Sequence, residues 1–331
     1  MLTQRQEKLL KLIVEEYIKD ATPVGSKKIC EELKCSSATI RNEMSTLEDY
    51  GYLEKTHTSS GRVPSEDGYR YYVDNLMEVK KMTGKDAYKL QTLFNNKQLM
   101  LSDVIEKSLE IVSEITNCTT LVLGSKSNTN RLQKVEVVPI SENKVIAIVI
   151  TDKGYIENKE LKVNDVPAHE INKVVDLINK LLVGTYLNEV NAKLEFEIKP
   201  IIGNYVKSHE ALYEAFYNAF SDISFKNHMH MEGRTKLLDY REFDNVSKIK
   251  ELLNKFDDDE MIRKIENVKT DDNNVNVYIG HENEFDDDVS IIKTKYNVDG
   301  EEGTIAIVGP KRMDYEKTIS LLEYIKENIE R

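Results

Sequence analysis

The sequence predicts an α+β protein with a small helix-rich segment ahead of a larger body. Its 331 residues exceed one typical hydrophobic core, so two or three domains are expected. Two helical patterns, a strand pattern and a glycine-containing turn follow one another within residues 26–62. Further along, strand patterns give way to helical patterns and then return, as in one α+β domain that a helical insert interrupts.

The first predicted element is an amphipathic helix. Thr3 and Gln6 have the spacing of a capping box, in which each side chain bonds the backbone N–H of the other residue. Apolar side chains then recur at helical spacing and form one buried stripe: Leu9, Leu10, Ile13, Val14 and Tyr17. The sequence TPVG at residues 22–25 ends this helix.

A pair of helices joined by a tight turn is predicted next. Ser26 can cap a helix that ends at Leu33, and residues 34–36 form the turn. Ser36 or Ser37 caps the second helix. Its apolar residues fall at i, i+4 and i+7 and form an inward stripe: Ile40, Met44 and Leu47.

A strand and a second turn complete this segment. Gly51 is expected to end the preceding helix in the left-handed conformation, and residues 52–58 form a strand. Gly61 lets the following turn tighten and presents Arg62 at its tip. Helix, turn, helix, strand and loop is the order of a winged helix-turn-helix, which places one helix in the major groove of DNA.

The polar side chains of this segment are of the types that contact DNA. Hydroxyl, amide and guanidinium groups pair with base edges and phosphates, and a narrow minor groove attracts arginine. We therefore expect the DNA contacts to come from Ser26, Lys27, Ser37, Thr39, Arg41, Asn42, Ser45, Lys55, His57, Ser60, Gly61 and Arg62. The alternative is a purely structural helix pair, because residues 26–62 carry six cationic and six anionic side chains.

Several blocks of this segment resemble the HrcA family of heat-inducible transcription repressors. They occur in one order over about fifty residues: PVGSK at 23–27, ATIRNEM at 38–44, GYL at 51–53, HTSSGRVP at 57–64 and GYRYYV at 68–73. The resemblance is loose beyond about residue 80. It implies a homodimeric repressor that binds the inverted repeat called CIRCE upstream of chaperone operons. It also implies that the GroEL chaperonin keeps the repressor in its DNA-binding form.

The resemblance also implies three kinds of domain. A winged-helix DNA-binding domain spans residues 1–80, and a GAF-like α+β domain has its first part at 88–161. A helical dimerising domain is inserted at 162–231, and residues 232–331 form the second part of the GAF-like domain. By pattern, strands lie at 119–124, 135–140, 144–151, 275–279, 289–296 and 304–308, and the last helix at 315–329.

A dense aromatic segment within the expected insert suggests the dimer surface. Aromatic side chains anchor protein interfaces. The candidates are Tyr205, Leu212, Tyr213, Phe216, Tyr217 and Phe220. The same spacing fits an internal core, so the sequence leaves both interpretations open.

Composition and motifs disfavour other classes of protein. The three cysteines form no C-x-x-C pair, and no catalytic, metal-binding or phosphate-binding constellation is evident. We therefore expect a protein that binds no cofactor and no metal ion and that is not an enzyme. No apolar run is long enough to cross a membrane, which predicts a cytoplasmic protein without a membrane partner. Of the formal net charge of −12, residues 1–74 carry only −2, so the acidity lies mainly outside the expected DNA-binding domain.

Two other functions remain open at this stage. One is a ligand-sensing regulator that uses the GAF-like domain as a small-molecule pocket. The other is an enzyme or a scaffold in which the helix pair never touches DNA. A tightly bound metabolite would favour the first, and an operator-binding assay would decide the second.

Overall fold

The computed structural model consists of two compact units. It describes residues 2–55, 61–79, 81–82, 84–96, 99, 101–124, 130–141, 143–152, 154, 156–163, 166–225, 229–267, 274–298 and 301–331. The first unit comprises Met1–Leu123, His230–Tyr296 and Thr304–Arg331, and the second comprises Gly124–Met229 and Asn297–Gly303. Each unit is described by itself below.

Three helices open the first unit, and two of them begin directly after the predicted capping residues. The helices are α1 (Gln4–Asp20), α2 (Ser26–Leu33) and α3 (Ser37–Asp49). The capping box of α1 is confirmed, because the Thr3 hydroxyl accepts from the Gln6 backbone and the Gln6 side chain accepts from the Thr3 backbone. Ser36 caps α3. The predicted cap of α2 is wrong: Gly25 occupies the cap position, and the Ser26 hydroxyl bonds Ser37 instead.

A two-stranded wing follows the helices. Strands β1 (Leu53–Lys55) and β2 (Arg62–Pro64) pair antiparallel, and Gly51 has the expected left-handed conformation, with φ of 84°. The predicted contacts His57 and Ser60 lie outside the described residues. Helix α4 (Glu66–Tyr71) is capped by Ser65 and continues as a π-helical turn, Tyr72–Leu76. We call the part from α1 to this turn the head.

The rest of the first unit, which we call the body, is a sheet with helices. Five strands lie in the order β7-β3-β10-β9-β8. Their bounds are β3 (Thr119–Gly124), β7 (Met229–Glu232), β8 (Asn276–Ile279), β9 (Val289–Val298) and β10 (Glu301–Pro310). The helices are α5 (Lys85–Phe94), α6 (Leu101–Thr116), α11 (Val246–Asp257), α12 (Asp259–Asn267) and α13 (Tyr315–Ile329). Phe243, Phe256 and Phe285 contribute the largest side chains of one of its hydrophobic clusters.

The second unit joins an antiparallel sheet to a group of helices. Its strands are β4 (Leu132–Ser141), β5 (Lys144–Thr151) and β6 (Ile156–Lys162), in that spatial order. Its helices are α7 (Ala168–Leu182), α8 (Leu187–Lys193), α9 (Lys199–Ile202) and α10 (His209–Phe225), with a π-helical turn at Leu194–Ile198. Alternate residues of β5 are buried, so one face of the sheet shares a core with α7 and α10.

The observed units differ from the predicted domain boundaries at residue 162. The expected insert began there, but β4 to β6 pack with α7 and α10, and the second unit begins at Gly124. The Asn179 amide of α7 ties helix to sheet, because it accepts from the Val135 backbone at 2.7 Å and donates back to it at 2.8 Å. The helical pattern alone marked only the second half of this unit. The sequence order gave no sign that the strands before it shared its core.

Lys293 of β9 is a buried amine that caps a helix, and it predicts a pH effect on stability. Its Nζ donates to the carbonyls of Ile265 and Glu266, at 2.6 and 3.1 Å, in the last turn of α12. Burial lowers the pKa of this amine from 10.5 to about 8. Between those pH values the unfolded chain binds more protons, so this group makes the free energy of unfolding rise with pH.

We therefore expect the variant Lys293→Met to lose that rise. Urea unfolding of wild type and Lys293→Met at several pH values from 8 to 10.5 gives the free energy of unfolding of each protein. The difference between the two free energies, followed against pH, measures the contribution of Lys293. Replacement of the exposed Lys250 of α11 by methionine serves as the control and should leave the pH dependence unchanged. Parallel curves for Lys293→Met and wild type would contradict the assignment.

Candidate nucleic-acid interface

Helix α3 carries one buried face and one exposed polar face. Ile40, Met44 and Leu47 are buried inside the head. On the other side the exposed residues recur at helical spacing: Ala38, Arg41, Asn42, Ser45 and Asp49. The exposed face thus offers a guanidinium, an amide and a hydroxyl, which are the groups that pair with base edges and phosphates.

Helix α2 holds Arg41 in position. The Arg41 Nε donates to the Ser26 hydroxyl at 3.3 Å, and this hydroxyl lies 2.7 Å from that of Ser37. Bidentate recognition of guanine uses two donors of a guanidinium at once. A guanidinium held through Nε still has its two terminal nitrogens as donors, and it has less conformational freedom to lose when it binds. Ser26 is itself buried, so its predicted DNA contact is replaced by a positioning role.

Two of the three acidic side chains of α3 are paired within the head, whereas Asp49, its last residue, is exposed. Glu43 accepts from Arg5 at 2.6 Å and from Gln6 at 2.9 Å. Glu48 pairs with Arg62 at 2.7 Å and approaches the Lys55 Nζ at 3.7 Å. Both carboxylates therefore have cationic partners away from the exposed face. This arrangement explains how a segment of neutral composition can present a surface that a phosphate backbone tolerates.

Arg62 is not at the tip of the wing, so that prediction is wrong. Arg62 is only 8% exposed, and its guanidinium donates to the Glu48 carboxylate at 2.8 Å and to the Gly61 carbonyl at 3.3 Å. Its backbone pairs with Val24. Arg62 lies on β2, where it joins the wing to α3 and to Val24 in the connection between α1 and α2.

Gly61 is also buried, and it packs closely against Pro23. A Cβ atom there would lie 2.8 Å from the Pro23 Cβ, closer than side chains normally pack. Gly61 therefore allows the wing to cross the α1–α2 connection, and its DNA contact stays a prediction. Of the other candidates, Lys27, Arg41, Asn42, Ser45 and Lys55 are exposed, whereas Ser37 and Thr39 are half-buried.

The aromatic segment of the second unit is mostly internal. Leu212, Phe216 and Phe220 are buried in the core that α10 shares with the sheet, so the predicted dimer surface is wrong for these three. Tyr213 and Tyr217 are half-buried with ring centroids 5.6 Å apart, and Tyr205 is 54% exposed. Periodicity did not identify Phe196, an aromatic side chain that is 75% exposed.

Other kinds of site receive no support from the part of the chain that the structure describes. No group of three histidine, cysteine or carboxylate side chains is close enough to hold a metal ion there. All three cysteines are free thiols, and Cys118 is buried. Burial raises the pKa of the Cys118 thiol to about 11, which makes it a poor nucleophile at neutral pH. None of the described helices has the length and apolar character needed to cross a membrane.

Comparison with known proteins identifies the family. The family model "Winged helix-turn-helix transcription repressor, HrcA DNA-binding" matches residues 1–74, and "HrcA protein C terminal domain" matches residues 102–319. The "Heat-inducible transcription repressor HrcA" of Bacillus pumilus is 34% identical, covering 99% of this chain and 97% of that protein. The repressor of the same name from Lysinibacillus sphaericus is 35% identical, covering 98% and 96%.

The chain belongs to the HrcA family of heat-inducible transcription repressors. As a member of that family it is a transcription repressor with a winged-helix DNA-binding domain, and it is not an enzyme. A solved structure described as "Crystal structure of a hypothetical protein at 2.2 A resolution" has the same fold. The superposition covers 100% of this chain and 98% of that chain, with a TM-score of 0.70 and 23% sequence identity.

Proposed function

We propose that this HrcA repressor binds a CIRCE-type inverted-repeat operator upstream of chaperone operons as a homodimer in the cytoplasm. The observation that carries the proposal is the exposed face of α3, where Arg41, Asn42 and Ser45 stand together. Two such heads related by a two-fold axis match two half-sites of an inverted repeat. Repression then follows from occupation of DNA near the promoter, and no chemical step is required.

The proposed contacts divide by chemistry. Arg41 and Asn42 read base edges, because a guanidinium pairs with guanine and an amide pairs with adenine. Ser37, Thr39, Ser45, Lys27 and Lys55 contact phosphates, which fix the position of the head on the duplex. His57 and Ser60 remain proposed contacts of the wing. Few cations take part, so non-specific binding should be weak and the salt dependence shallow.

Replacement of Arg41 by alanine should weaken operator binding by roughly 1–3 kcal/mol and relax sequence preference at one position of each half-site. Titration of both proteins against the operator and against single-base variants measures this. Arg41→Lys separates the two kinds of contact, because lysine supports a phosphate contact but not bidentate pairing. Replacement of the exposed Lys19 of α1 by alanine is the control. Unchanged binding by Arg41→Ala would remove α3 as the recognition helix.

Chaperonin control is the regulatory part of the proposal. The protein has no disulfide, since its three thiols are free, so hydrophobic burial stabilises each of its two units. Heat should therefore inactivate the repressor by unfolding. We expect GroEL with ATP to restore operator binding to heat-inactivated repressor, whereas GroEL without ATP and serum albumin should not. Equal recovery without chaperonin, or inactivation while the fold persists, would contradict this control.

A further inference from the structure

Two of the three cysteines of the chain lie at the turn of the helix-turn-helix. Cys30 belongs to the last turn of α2, and Cys35 directly precedes Ser36, the residue that caps α3. Both cysteines are free and half-buried, so solvent reaches part of each residue. The third cysteine, Cys118, is free as well but buried in the body. The turn between α2 and α3 therefore carries the two accessible cysteines.

A backbone hydrogen bond joins these two cysteines. The Cys35 N–H donates to the Cys30 carbonyl at 3.3 Å, and the N–H of Lys34 donates to the same carbonyl. Lys34 has the left-handed conformation, with φ of 52°. This pattern is that of a Schellman-type helix end, in which the side chains of the two hydrogen-bonded residues frequently contact each other. Cys30 and Cys35 thus occupy the pair of positions whose side chains meet in this motif.

The same hydrogen bond limits the distance between the two Cα atoms. The Cys35 Cα lies one covalent bond from the donor nitrogen, and the Cys30 Cα lies two covalent bonds from the acceptor oxygen. The Cα atoms are therefore at most about 7 Å apart. Protein disulfides span Cα separations of about 4.4–6.8 Å, which this limit allows. The backbone needs no large movement for the two sulfur atoms to meet.

The Cys30 thiol at present bonds its own helix. Its Sγ donates to the Ser26 carbonyl at 3.1 Å, one turn earlier in α2. A thiol is a weak donor, so this bond opposes only slightly a rotation about the Cα–Cβ bond of Cys30. Rotation to another staggered position releases Sγ from Ser26 for reaction with Cys35.

We propose that Cys30 and Cys35 form a reversible disulfide when the protein meets a peroxide. One thiolate attacks a peroxide oxygen, an S–O bond forms, the O–O bond breaks, and hydroxide leaves and takes up a proton as water. The other thiolate attacks the resulting sulfenic sulfur, the S–S bond forms, and the S–O bond breaks to give a second water. The two thiols lose two electrons and two protons, and hydrogen peroxide is reduced to two molecules of water.

The position of this bridge links it to the proposed recognition helix. The Cys30 thiol bonds the carbonyl of Ser26, and the hydroxyl of the same serine holds the Arg41 guanidinium of α3. Cys35 directly precedes Ser36, the cap of α3. A bridge therefore changes the support of Arg41 and the start of α3 together. Oxidation should weaken operator binding about fivefold or more, as expected when one cap or one positioned contact is lost. This consequence rests on the proposed function, whereas formation of the bridge does not.

Peptide mapping of the full chain, in the absence of DNA, tests the bridge. The protein is treated with hydrogen peroxide, unfolded, alkylated at its remaining thiols and digested with trypsin without reduction. Because Lys34 lies between the two cysteines, cleavage after it leaves residues 29–34 and 35–41 joined only by a disulfide. We expect this linked pair of peptides, with Cys118 as the alkylated cysteine. The oxidised protein should keep the size of one chain on a non-reducing denaturing gel.

Three serine variants are the matched controls for the peptide map. Cys118→Ser should form the bridge as wild type does. Cys30→Ser and Cys35→Ser should form no bridge, and the cysteine that remains at the turn should be trapped by dimedone as a sulfenic acid. Unreacted thiols at both positions, a bridge between two chains or a bridge to Cys118 in wild type overturns the proposal.

Operator titrations of reduced and oxidised protein test the regulatory consequence. Peroxide should weaken binding by wild type, dithiothreitol should restore it, and Cys30→Ser should bind equally before and after peroxide. Equal binding by bridged and reduced wild type overturns the effect on the operator. Failure of the reduced protein to bind any operator would refute the proposed function and leave the peptide map standing.

Discussion

A carboxylate placed at Phe216 should unfold the second unit. Phe216 is 1% exposed and packs with Leu212 and Phe220 in the core between α10 and the three-stranded sheet. Loss of a buried phenylalanine costs about 3–5 kcal/mol, and burial of an unpaired charge adds several kcal/mol more. This sum is comparable to the whole stability of a domain. Hydrogen exchange of the β5 amides in Phe216→Asp measures the result and should show loss of protection.

Phe196→Asp is the matched comparison in the same unit. Phe196 is 75% exposed, so the same charge there should leave the fold and its exchange protection unchanged. Sedimentation of this variant then tests whether its exposed aromatic ring belongs to the proposed dimer interface, where a charge should produce monomers. A dimer that persists would place the interface elsewhere. Retained protection in Phe216→Asp would contradict the buried position of Phe216.

Replacement of Gly68 by alanine should destabilise the head by about 3 kcal/mol or more, at the upper end of the effects of overpacking. A Cβ atom on Gly68 would lie less than 3.0 Å from the Tyr52 carbonyl oxygen, and backbone on both sides prevents an easy shift. The same carbonyl accepts from the Ser65 backbone at 3.1 Å, so the start of α4 is held against Tyr52, the residue before β1. Separation of α4 from Tyr52 should disorganise the wing.

Gly25→Ala is the control for this substitution. Nothing lies within 4 Å of a Cβ atom built at Gly25, and its φ of −87° suits any residue. Because Gly25 caps α2, alanine there should cost less than about 1 kcal/mol. Thermal unfolding and operator titration of both variants measure the contrast. Equal stability of the two variants would show that α4 does not approach Tyr52 so closely.

Local signals in the sequence predicted the helices of the head well. The capping box at Thr3 and the apolar stripe of α3 depend on neighbours within one or two turns, and both appear in the structure as predicted. The bounds of α2 also follow the predicted pattern, although Gly25 takes the cap position that was assigned to Ser26. Such features need no knowledge of the rest of the fold.

Features that depend on distant parts of the chain were not predictable. Nothing near Arg62 in sequence shows that Glu48 pairs with it, so its burial was missed. The spacing of Phe216 fits a core and an interface equally, because periodicity gives a face and not its partner. The predictions of the operator, the homodimer and the chaperonin rest on the family resemblance and not on these patterns.

Footprinting on DNA upstream of a chaperonin operon tests the central claim most directly. The exposed face of α3, with Arg41 beside Asn42, is proposed to read an inverted repeat. The wild-type protein should protect two half-sites related by two-fold symmetry. Arg41→Ala should require roughly 5- to 150-fold more protein for the same protection, the equivalent of 1–3 kcal/mol. Absence of a symmetric footprint for wild type, or identical titrations for the two proteins, would contradict the account.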